Sequence, residues 1–83
     1  MHIEALNEAV KVRADFHGGR VRPLLIRRGE AVYRVVRVNG TWEDREGRHR
    51  IFWYSVTADT GDVFRICLKT AEMLWWLDSV VLP

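Results

Sequence analysis

One thiol, three scattered imidazoles and a close-set pair of acids are the side chains of this sequence best equipped for chemistry. Cys67 is the only cysteine. A thiol becomes a nucleophile when a neighbouring His or a helix N-terminus lowers its pKa, and nothing around Cys67 points to either. Cys67 alternates with Ile66 and Leu68, so in a strand it faces away from the apolar side they define. It is read as structurally passive. A lone cysteine also cannot close an intrachain disulfide or supply a structural zinc set. His2, His17 and His49 match no metal-ligand spacing. Asp59 and Asp62 bracket Thr60-Gly61 and are read as turn formers rather than cation ligands. The glycines fit no phosphate-cradling loop, and no hydroxyl sits in a nucleophile elbow. The reading is a non-enzymatic chain with no cofactor, no metal and no catalytic residue.

Binding chemistry is better represented. From Lys11 to Arg50 the chain carries eleven bases against five acids, a net of +6, while the rest has two bases against six acids, a net of −4. Eleven of the thirteen bases are Arg, the side chain that forks onto phosphate and stacks on bases. A basic sheet face interleaved with aromatic rings is a common way to hold single-stranded nucleic acid. The residues assigned to such a face are Arg22, Arg27, Arg34, Arg37 and Arg50, with Trp42 and Trp53 as stacking rings. The competing explanation is that strands need polar residues on their wet side, and long Arg stems also cover apolar surface.

A second feature is the pair Trp75-Trp76. Neighbours in a strand point to opposite faces, so the two rings cannot share one core. Met73, Trp75 and Leu77 lie on one side and are assigned to an apolar interaction surface for a protein partner or a second copy. The alternative is that Ile3 and Leu6 lie across that side and close it.

The elements that must position these residues follow from alternation with period two. Val10, Val12, Ala14 and Phe16 interleave with Lys11, Arg13 and Asp15, and Gly18-Gly19 ends that strand. A second strand begins at Pro23 and runs to Arg28. The third, Ala31 to Val38, loses its alternation near Val36, which predicts a β-bulge or burial on both sides. Residues 39–48 read as a long hairpin loop of mixed charge with a glycine near either end. Ile51 to Thr57 and Phe64 to Lys69 are clear strands. Met73 to Leu82 is predicted as a sixth strand, although its Leu, Met, Ala and Trp content also tolerates helix. Ile3 to Ala9 suits a short helical turn. The fold class is all-β: about six strands in an antiparallel meander forming a small barrel or a strongly curved sheet.

The order Pro23-Leu24, Ile26, Gly29, Tyr33, Val35, Val38, Trp42, then Tyr54-Ser55-Val56-Thr57, Gly61, Phe64 and Trp76-Leu77 resembles a group of small uncharacterised bacterial domains. Similar domains are appended to the C-terminal end of Y-family DNA-polymerase-like proteins. The resemblance implies a β domain with a lean towards DNA-related work, and it brings no catalytic residues.

The 83 residues allow one domain, spanning 1–83. Its composition, 48% hydrophobic and 29% charged, is globular. No apolar run is long enough to cross a bilayer as a helix, and the start of the chain lacks the basic end of a signal peptide. A cytoplasmic location with no membrane partner is expected. The leading functional expectation is nucleic-acid contact through the Arg-rich face. The alternative is protein interaction or self-association through the Trp75 face.

Overall fold

The computed structural model describes residues 2–82. Six strands, β1 (His2–His17), β2 (Arg20–Arg28), β3 (Ala31–Glu46), β4 (His49–Ala58), β5 (Val63–Lys69) and β6 (Leu74–Leu82), follow one another in the chain. Each pairs antiparallel with the next, and β6 returns to β1 to close a barrel. Each strand therefore has a neighbour on either side, although the first part of β1 and the far part of β3 pair along one edge only.

Two long strands make that closure with only six elements. Along β1, residues up to Val10 pair with β6, whereas those from Lys11 onward pair with β2. Along β3, Ala31 to Arg34 pair with β2 and Val35 to Glu46 pair with β4. A bulge beside the β3 changeover, and irregularities on either side of the one in β1, let the strands bend. The break in β3 between Val35 and Arg37 is the irregularity that the lost alternation predicts.

Three local expectations are corrected. Ile3 to Ala9 is strand, not a helical turn, because β6 offers it a full ladder; Asn7, at φ +48°, takes up the irregularity between Ala5 and Glu8. Residues 39–48 are not a loop. Here β3 runs on to Glu46 and turns only at Gly47-Arg48. The Asn39-Gly40 turn signal is instead a second bulge, with the Asn39 side-chain amide donating to Thr57 Oγ1 at 2.9 Å. Pro23 lies inside β2 rather than at its start. It is tolerated because β2 meets β3 only from Leu25 onward, so the missing N–H breaks no ladder there. The sixth strand is as predicted: β6 is strand throughout, since β1 and β5 pair it on both sides.

The core is built from Ile26, Val56, Phe64, Ile66 and Leu77, all at most 2% exposed, with Val10, Tyr54, Ala58 and Val80 around them. Tyr33 meets Phe64 edge-on at 4.9 Å between ring centres. Arg28 Nε donates a hydrogen bond to Glu8 Oε1, and that bond, helped by the opposite charge, raises the guanidinium pKa. Among the described residues no helix is long and apolar enough to cross a membrane.

Candidate nucleic-acid interface

The outer face of β3 to β6 brings tryptophans, a thiol and two cations together. Strand register places Trp42 opposite Trp53, Trp53 opposite Cys67, and Cys67 opposite Trp76. Three indoles and one thiol thus form a row that crosses four strands. The Trp42 and Trp53 rings are stacked, 5.8 Å apart between centres and 3° from parallel. Trp42 is 42% exposed, and Trp53 and Trp76 are half-buried.

Two cations from β5 reach onto these rings. The Arg65 guanidinium lies 5.5 Å from the centre of the Trp42 ring, and the Lys69 ammonium lies 4.5 Å from that of Trp76. Arg65 must span two strands to do so. The residues in register beside it, Ser55 and then Gly40, are small and leave that lane open. A cation over an indole face is attracted by the ring quadrupole, which orients both groups. Alongside the lane, Ser55, Arg65 and Ser79 line a depression of about 150 Å³ together with Val63 and Val81.

Cys67 points outward, as its alternation predicts, yet it has no exposed surface. Its neighbours across the strands, Trp53 and Trp76, are large enough to cover it. Burial pushes the thiol up to about 11. A thiol held neutral in the fold but free to ionise at about 9 once unfolded stabilises the native state below that lower value. The contribution declines as pH rises from about 9 to about 11. Thiol-reactive dye is therefore expected to label Cys67 slowly at pH 8 in the folded protein and rapidly in urea, and rapid labelling in the folded state would show the thiol uncovered.

The structure sorts the residues assigned from sequence. Trp42 and Trp53 come together as one stack. Arg27 on β2 and Arg34 on β3 face outward from the adjoining wall, where Arg34 stands opposite Leu25 and Arg27 opposite Val32. Arg22 faces outward on β2, across from Asp15. Arg37 stands opposite Thr57, next along β4 from the Ser55 lane, and connects that wall to the tryptophan row. Arg50 does not join them. It lies on the other side of the β3–β4 ribbon, 3.6 Å from Glu43.

The interaction surface built on Met73, Trp75 and Leu77 is corrected. Leu77 stands opposite Ile66 on the core face and has no exposed surface. Trp75 packs inward, its ring 5.8 Å from that of Tyr54. Met73 alone is exposed, in the turn before β6. The outward ring is Trp76. Sequence reasoning also missed Arg65 and Lys69. Their alternation with Ile66 and Leu68 marks them as outward, but only register shows that they share a face with Trp42, Trp53 and Trp76.

Asp59 and Asp62 serve the β4–β5 turn. Asp59 accepts from the Arg34 backbone N–H at 3.3 Å, and Asp62 accepts from the Thr60 hydroxyl at 2.8 Å. Among the described residues no three His, Cys, Asp or Glu side chains gather where they could hold a metal ion. Compared with protein families, curated proteins and solved structures, the chain matches none of them.

Proposed function

We propose that this chain is a non-enzymatic binding module that holds single-stranded nucleic acid on the outer face of β3 to β6. The observation that carries the reading is the row Trp42, Trp53, Cys67, Trp76 with Arg65 and Lys69 set over its rings. Every base has a π-face, so a base of any identity can displace Arg65 or Lys69 from a ring and stack there, and the displaced cation is then free to neutralise a phosphate. A duplex keeps its bases stacked inside and offers the rings nothing to stack on. The Arg-rich wall of β2 and β3, joined to the row through Arg37, adds charge that attracts a polyanion from a distance.

Fluorescence anisotropy with a labelled single strand and a labelled duplex, at low and at physiological salt, tests this. The single strand should bind at micromolar concentration or tighter and more strongly than the duplex. The logarithm of its association constant should fall with the logarithm of salt by about 0.7 per phosphate neutralised. A flat salt response, or no binding at low salt, defeats the reading. The exposed Trp42 and Ile3 would then point to a protein on this face.

A further inference from the structure

Where the tryptophan row ends on β6, the surface falls into a depression of about 540 Å³. It is lined by Ala9, Val10, Lys11, Arg27, Gly29 and Leu74. The depression exists because β1 changes partner at this point: Val10 is its last residue paired with β6, and Lys11 stands opposite Arg27 on β2. Ala9 is the residue opposite Trp76. The depression therefore begins beside the last ring of the row.

Lys11 and Arg27 are directly opposed across an antiparallel pair, and both are exposed. Like charges in that position repel and weaken a sheet. Neither makes an ion pair among the described residues, and the nearby carboxylate of Glu8 is engaged by Arg28. Gly29, at φ +57° in the β2–β3 turn, puts no side chain into the space between them and Leu74. Two opposed cations at the lip of an open depression form a place where an anion removes a repulsion already present in the fold.

Resting on the reading above, we infer that Lys11 and Arg27 form a backbone-phosphate subsite that continues the tryptophan row. The single strand then lies across the β-strands, with bases over Trp42, Trp53 and Trp76 and a phosphate between Lys11 and Arg27. From β3 to β1 the track crosses four strand spacings, roughly 19 Å at about 4.8 Å each. That length suits a short footprint, near the lower end of the roughly 4–16 nucleotides that a small barrel occupies.

The test compares wild type, the double variant Lys11→Ala/Arg27→Ala, and a control, Arg20→Ala/Arg45→Ala, which loses the same charge away from the track. Each is titrated with a labelled oligothymidylate of about eight nucleotides over a range of salt. The track variant should lose about ten-fold in affinity at low salt and about 0.7 of salt slope for each phosphate contact removed, whereas the control should lose less than about three-fold. Without nucleic acid, the unfolding midpoint of the track variant should equal or exceed that of wild type, because a repulsion has been removed. A lower midpoint would mean that the two cations have other partners, and would overturn the subsite.

If wild type binds and the two double variants weaken alike, the subsite is wrong while the binding module stands. If wild type does not bind at low salt, both fall. Inorganic phosphate should displace the oligonucleotide no better than chloride at equal ionic strength. Displacement at much lower phosphate concentration would assign the depression to a free anion and overturn its place on the strand's path.

Discussion

Leu77→Ala is expected to lower the unfolding free energy by about 2–5 kcal/mol, seen as a fall in the urea midpoint with an unchanged denaturant slope. The side chain is fully buried against Ile66 and the rest of the core, so truncation leaves a cavity in a close-packed interior. A domain of this size has a total stability of about 5–15 kcal/mol, so the loss is a large part of the whole. Trp76→Ser, one residue earlier, should act differently. It removes a half-buried ring from the outer face and uncovers Cys67, so faster labelling of the thiol should accompany a smaller loss of stability. The comparison reports directly on which way β6 faces. A Leu77→Ala variant as stable as wild type, beside a strongly destabilised Trp76→Ser, would mean that the strand sits with its other side inward.

The second large effect concerns binding. Trp53→Ala should weaken single-strand binding by about 1–3 kcal/mol, roughly 5- to 150-fold, as expected for losing one stacked base. The loss should persist at high salt, because stacking is not screened as phosphate contacts are. Trp53→Phe keeps a ring and should recover most of the affinity, which separates stacking from general damage to the sheet. Arg65→Ala should instead reduce the salt slope, by about 0.7 if it meets one phosphate. Should Trp53→Ala bind the oligonucleotide as wild type does, the row is not the platform and the Arg-rich wall would have to carry binding alone.

Much of this architecture is legible in the sequence because one face of each strand is buried. The alternation of Val10 to Phe16, of Phe52 to Val56 and of Phe64 to Leu68 reports that burial directly, and the broken pattern at Val36 reports a bulge. The pattern fails where both faces are apolar. In β6 the outward Leu74 and Trp76 are as hydrophobic as the inward Trp75 and Leu77, so periodicity cannot choose between them. An irregularity opposite Arg65 and Ile66 shifts the register further along, bringing Ser79 outward and Val80 inward.

The ribbon of β3 and β4 fails for another reason. Residues 41–50, at its far end, are all exposed, so no burial marks them as strand. Cross-strand pairs such as Glu43 with Arg50 and the Trp42–Trp53 stack support it instead, and pairing of that kind is invisible until register is known. The candidate site was only half legible on the same ground. Trp42 and Trp53 announce themselves by type, but Arg65 and Lys69 come from a stretch whose net charge is negative, and only the order of the strands brings them alongside.

The return of β6 to β1 has a consequence for how the barrel assembles. Pairs such as Ile3 with Val81 join opposite ends of the chain, so they close the largest loops available and bear the greatest entropic cost. Pairing of this kind forms more slowly than the hairpins that join consecutive strands. Until β6 emerges from the ribosome, the first half of β1 has no strand to pair with and presents an open edge. At that stage the acidic side chains Glu4 and Glu8, in the half of β1 that waits, are the charges that discourage another chain from adding there.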